Sequence, residues 1–122
     1  MAAVENFEDL RCWQEARKLT ALVYRLCEEG KLARDFETRG QIKGASLSTM
    51  SNIAEGFGRR FNPRDFIRFL DISQSSSLEV RSISYVLEDA EYLPLEKIMQ
   101  IREKAQISER MTLAFIRYLR SR

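Results

Sequence analysis

The chain has 122 residues, 44% hydrophobic and 31% charged, enough for one apolar core and too few for two, which excludes an intrinsically disordered chain. A formal net charge of +2 excludes a uniformly basic nucleic-acid binder while leaving room for a local patch. No run approaches the roughly 20 apolar residues of a membrane span, and Met1-Ala2-Ala3-Val4-Glu5-Asn6 has no basic or apolar leader character. The expectation is one cytoplasmic domain over 1–122 that makes no use of a membrane.

Four amphipathic segments follow, with no alternation long enough for a strand. The first spans about 6–29. Asn6 stands at its N-cap with Asp9 three residues on. Cys12, Trp13, Ala16, Leu19, Thr20, Val23 and Cys27 share a face, and Gly30 follows as a stop. The two cysteines lie ~22 Å apart along such a helix, too far to bridge, and read as buried apolar filler.

The second segment, about 35–57, places Ile42, Ala45, Thr49, Ile53 and Phe57 on its inner arc. Its stretch 41–58 is crowded with Gly, Ala, Ser and Thr, weak helix formers at that density. Such a stretch needs a tertiary reason, and close helix packing supplies one. Asn52 is expected to bond backbone at the turn into Gly56, with Gly56 and Gly58 supplying positive φ for the reversal.

Asn62-Pro63-Arg64-Asp65 opens the third segment with an N-cap, a proline at the first helical position and an acid in the first turn. It runs to about 92, facing inward with Phe66, Phe69, Leu70, Ser73, Ser77, Val80, Ile83 and Leu87. Pro94 opens the fourth, about 94–120, whose inner face is Ile98, Ile101, Ala105, Ser108, Thr112, Phe115 and Leu119. Long helices joined by short breaks predict an all-α, antiparallel up-down-up-down four-helix bundle. Within it, Ser46, Thr49 and Gly56 are expected to face Ser73, Ser76 and Ser77 across a tight seam.

Several motifs resemble the 23S rRNA-intervening-sequence family of four-helix-bundle proteins. They are Phe7-Glu8-Asp9-Leu10 with Trp13-Gln14 and Ala16, Gln41-Ile42-Lys43 with Ala45-Ser46, Asn52-Ile53-Ala54-Glu55-Gly56, and Phe66, Phe69-Leu70 with Ser76-Ser77-Leu78-Glu79. The likeness covers 7–92, and the fourth helix matches only in kind. Lys43-Gly44 and Ser76-Ser77 depart from the usual residues while keeping their size class. The resemblance implies a homo-oligomer, a pentameric ring, and kinship with the accessory variability protein of diversity-generating retroelements. A reverse transcriptase and nucleic acid are thereby implied as partners. No enzyme activity is implied.

The chemistry-bearing residues agree with a non-enzyme. The chain has no histidine, so the commonest base and metal ligand is missing, and the serine run has no partner to activate a nucleophile. Neither a cofactor nor a metal is expected. Glu55 and Glu79 are the carboxylates that facing helices can bring together, and they read as acceptors that fix register. Asn52, Glu55, Gly56 and Glu79 are thus structural.

In the predicted topology Arg59, Arg60 and Arg64 gather at one end with Arg117, Arg120 and Arg122, while Glu28, Glu29, Glu88, Asp89, Glu91 and Glu96 gather at the other. The basic end is the expected site for RNA or DNA, with Phe57 and Phe61 beside it to stack on unpaired bases. Ile67, Leu78 and Tyr85, with Ile107, Met111 and Tyr118, form apolar stripes off the core face and are the expected contacts between copies. The function that follows is a nucleic-acid or ribonucleoprotein accessory factor; the competing reading is a protein adaptor whose arginines serve acidic protein surfaces.

Overall fold

A computed structural model describes residues 4–122. Four α-helices, α1 (Arg11–Leu26), α2 (Phe36–Phe57), α3 (Pro63–Asp89) and α4 (Leu95–Arg120), are accompanied by 3-10 turns at Phe7–Asp9 and Gly30–Arg34. No strand occurs among the described residues, and the arrangement is consistent with a four-helix bundle. No described helix is long and apolar enough to cross a membrane.

Side-chain caps set two of the four helix starts, those of α2 and α3. Asp35 accepts a 3.0 Å bond from the Thr38 amide at the start of α2, and Asn62 accepts from the Asp65 amide at 3.3 Å, directly before Pro63. The first predicted helix is divided instead. Leu10 is extended (φ −74°, ψ 126°) and buried, and Asn6 makes no side-chain cap bond. Phe7 packs edge-on against Trp13 at 5.1 Å, and Gln14 donates to the Glu8 carbonyl at 2.9 Å, so tertiary contacts hold this break.

The two predicted glycine reversals after α2 are also corrected. Gly58 is right-handed helical (φ −63°), and positive φ occurs among the described residues at Gly30 and Glu91. Gly56 lies inside α2, where an added Cβ would sit 2.8 Å from the Cβ of Phe69 and 3.0 Å from the Phe66 ring. Its small size serves close approach of α3, facing Phe66 and Phe69 rather than the serines. The predicted stop at Gly30 lies past the end of α1, which closes at Leu26 with Cys27 as C-cap; Gly30 opens the 3-10 turn at φ +57°, where its absent Cβ would fall 2.4 Å from the Tyr92 carbonyl oxygen.

The buried apolar residues form two clusters. One joins Leu19, Val23, Leu32, Ile42, Val80, Leu87 and Ile101; the other joins Trp13, Ile53, Phe57, Phe66, Leu70 and Ile116. Between them, every helix contributes buried hydroxyls: Thr20, Ser46, Thr49, Ser73, Ser77, Ser108 and Thr112. Most bond to helix carbonyls, as a buried hydroxyl must when no water is near. Thr20 lies 2.9 Å from both the Ala16 and Ser46 carbonyls, and Ser73 donates to Thr49 at 2.8 Å.

Cross-helix bonds pair residues in opposite chain order. Gln41, Ser48 and Thr49 of α2 meet Glu79, Ser76 and Ser73 of α3; Ser77, Arg81 and Ser84 of α3 meet Ser108, Glu109 and Arg102 of α4. Ser77, expected at the seam with α2, makes its cross-helix bond to α4.

Candidate functional site

At the end of the molecule where α2 turns into α3 and α4 terminates, an open groove of about 570 Å³ is lined by Leu10, Phe57, Phe66, Phe115 and Leu119. The local sequence explains its shape. Asn62-Pro63 opens α3 directly after the turn, and Phe61, within that turn, is 88% exposed at the groove edge.

Two arginine–aromatic couples complete the lining, one from the turn after α2 and one from the end of α4. The Arg60 guanidinium carbon lies 4.2 Å from the Phe57 ring centroid and 4.6 Å from that of Phe61, while its Nη1 donates to the Phe57 carbonyl at 3.1 Å. At the end of α4, Arg122 lies 5.7 Å from the Tyr118 ring centroid. Tyr118 stacks on Phe115 at 6.1 Å with 12° between planes, and Phe115 meets Phe66 edge-on at 5.5 Å. The floor is thus a continuous aromatic lattice, and cation–π contact holds both cations in place.

The six expected arginines are not equivalent. Arg60 and Arg122 line the groove and make no ion pair among the described residues; Arg64 and Arg117 are exposed and likewise make none there. Arg59 is tied to Asp65 at 3.6 Å and Arg120 to Asp71 at 3.8 Å. Arg68, which is not one of the six, shares Asp65 and lies over Phe69. At the other end Glu28, Glu29 and Glu88 are paired with Arg39, Lys97 and Arg102, which weakens the expected acidic pole.

The expected assembly stripes separate in the same way. Leu78, Tyr85 and Tyr118 are about half exposed, whereas Ile67 and Met111 pack against the second apolar cluster and Ile107 is half-buried. Tyr85 carries the Arg102 guanidinium 3.7 Å from its ring centroid. Val86, Leu95 and Met99 are further exposed apolar side chains that the helical pattern did not single out.

Among the structural motif residues, Asn52 bonds one turn back to the Ser48 carbonyl and hydroxyl at 2.9 Å, rather than forward to the turn. Glu79 accepts from Gln41 at 2.9 Å. Glu55 is exposed, 14 positions beyond Gln41 and so ~21 Å along the helix. The two carboxylates do not meet. Burial pushes the Cys12 thiol up to about 12 and raises that of Cys27, so neither is a ready thiolate.

The groove offers fixed guanidinium donors, aromatic faces and a phenol, a lining suited to a flat apolar body with anionic groups beside it. Residues 8–114 match the family model described as 23S rRNA-intervening sequence protein. Among solved structures, the chain is similar to a protein of unknown function from the S23 ribosomal protein family of Bacteroides thetaiotaomicron. The TM-score is 0.77 at 19% identity, over 86% of this chain and 97% of that one, a likeness of fold alone. No curated protein matches the chain.

Proposed function

The chain belongs to the 23S rRNA-intervening sequence protein family, and from that premise we propose a non-enzymatic accessory factor for nucleic acid or ribonucleoprotein. Its basic end holds the phosphate backbone. One observation carries this reading: Arg60, from the turn after α2, and Arg122, from the end of α4, line a single aromatic groove without ion pairs among the described residues. Uncommitted guanidiniums are the donors that phosphate recruits, and such contacts are indifferent to sequence. Arg64 and Arg117 extend the cationic end.

The reading takes the helices as an antiparallel up-down-up-down bundle, supported by the opposed chain order of the cross-helix bonds. It takes the working form as a homo-oligomeric ring, the pentamer that the family resemblance implies. Leu78 at 46% and Tyr85 at 53% exposed are surface that such contacts would cover.

Single-stranded RNA binding, followed by anisotropy across a salt series, tests the function. Affinity is expected to fall log-linearly with salt, by about 0.7 in slope for each phosphate contact. Absence of binding at low salt would defeat the reading. Native mass by light scattering, before and after nuclease treatment, tests the ring; a monomer at micromolar concentration rules it out.

A further inference from the structure

We propose that the groove seats an unstacked base of a single strand, stacked on Phe61 and Tyr118, with Arg60 and Arg122 on the phosphates to either side. The inference rests on the nucleic-acid reading and narrows it from any polyanion to a strand whose bases are free. Duplexes hide their base faces in the stack; single strands present them, and aromatic side chains capture them with little regard to sequence.

Phe61 is the first argument. It is 88% exposed, with the Arg60 guanidinium carbon 4.6 Å from its ring centroid. Phe57, the other aromatic that the sequence placed beside these arginines, is 7% exposed and already engaged by Phe66 and Arg60. The available faces are therefore Phe61 from the turn and Tyr118 from α4. Tyr118 is held in one plane by its stack on Phe115.

Charge placement chooses the occupant. A fatty-acid anion has one charged head and a peptide terminus one carboxylate, whereas a strand alternates a flat ring with an anion on each side. The groove lining holds the same kinds of group, two guanidiniums without ion pairs among the described residues and two exposed aromatic rings, each ring beside one of the cations. Its volume of about 570 Å³ lies within the range of sites that enclose small organic groups. Arg60 is preorganised by its two rings and by the Phe57 carbonyl, which leaves its remaining N–H groups for phosphate.

The test compares a short oligothymidylate, an abasic strand of equal phosphate number and a duplex of equal length, each titrated against the intact protein at low salt. The base-bearing strand should bind at least about fivefold tighter than the abasic one, the low end of one aromatic–base stack. Phe61→Ala should bring the two strands together by weakening the first alone, and Phe61→Trp should restore the difference. Tyr118→Ala should act in the same direction. Equal affinity for abasic and base-bearing strands, or a Phe61→Ala variant that keeps the difference, overturns base capture while leaving phosphate binding intact. If neither strand binds, the underlying reading falls and base capture falls with it.

Discussion

The phenol of Tyr92 donates a 2.7 Å hydrogen bond to Oδ2 of Asp35, joining the connection after α3 to the cap of α2. The Tyr92 carbonyl meanwhile accepts from the Lys31 amide at 3.2 Å, over the Gly30 position that has no room for a Cβ. One residue thus clamps both connections at the end opposite the groove. The clamp adds to the anchoring of the same two connections by Leu32 and Leu93, both buried in the first apolar cluster.

The clamp predicts a pH-dependent stability. The Thr38 amide, then the Tyr92 phenol and the Thr38 hydroxyl, hold the Asp35 carboxyl below its usual range, and the bond to Asp35 pushes the Tyr92 phenol above its own. The Asp35 contribution is present above the unfolded value of about 3.9 and is lost as pH falls through the lower folded value. The Tyr92 contribution is full below about 10 and is lost as pH rises through the higher folded value. Tyr92→Phe should therefore lower Tm most near neutrality, with the gap closing in acid and in strong alkali. Thermal melts across pH check this; a gap undiminished at about pH 2 would place the effect elsewhere.

Gly56 and Gly44, both in α2, should respond oppositely to alanine. At Gly56 the new methyl meets Phe69 and Phe66, and overpacking of about 1–3 kcal/mol exceeds the propensity gain. At Gly44 nothing lies within 4 Å, and Ala should stabilise by about 0.5–1 kcal/mol. Denaturant unfolding of the two variants measures both. A destabilised Gly44→Ala protein would put a second copy against that face.

Much of this fold was legible because the chemistry was local. Asn62-Pro63 and Asp35 announce helix starts through their own side chains, and the 3.6-residue period found Ile42, Thr49, Ile53, Val80 and Ile101 in the core. The break at Leu10 was hidden, since the apolar period runs through it and only the packing of Phe7 on Trp13 enforces it. Ser84 was missed for a related reason. It is fully buried yet polar, and its hydroxyl accepts from Arg102 at 2.9 Å, a partner 18 residues away. The predicted topology placed arginines at one end; which of them are free depends on Asp65 and Asp71, and no sequence period encodes that pairing.

The hydroxyl belt contains one unpartnered member. Thr112 Oγ1 is buried without a hydrogen bond, beside Ser77 and Ser108, whose oxygens are 3.4 Å apart. An unsatisfied buried hydroxyl costs about 1–3 kcal/mol, and Val has nearly the same shape. Thr112→Val should therefore raise stability by about 1 kcal/mol or more. Chemical denaturation settles the sign, and a loss would show that the hydroxyl rotates onto a helix carbonyl and is used there.

Arg60 and Arg120 separate bound from available charge at the proposed interface. Each variant to Gln removes one positive charge, so a purely diffuse field would treat the two alike. Local contacts predict a difference. Arg60 carries no ion pair among the described residues and lines the groove, whereas Arg120 already faces Asp71 at 3.8 Å. The salt slope counts phosphates neutralised by direct contact, about 0.7 per contact on a single strand. Arg60→Gln should lower that slope by about this amount in each strand-binding site, with weaker binding at low salt. Arg120→Gln should shift affinity modestly and leave the slope alone, since it ends an ion pair and not a phosphate contact. Equal slope changes in the two variants would show that the strand tracks the charge of the whole end and not the groove.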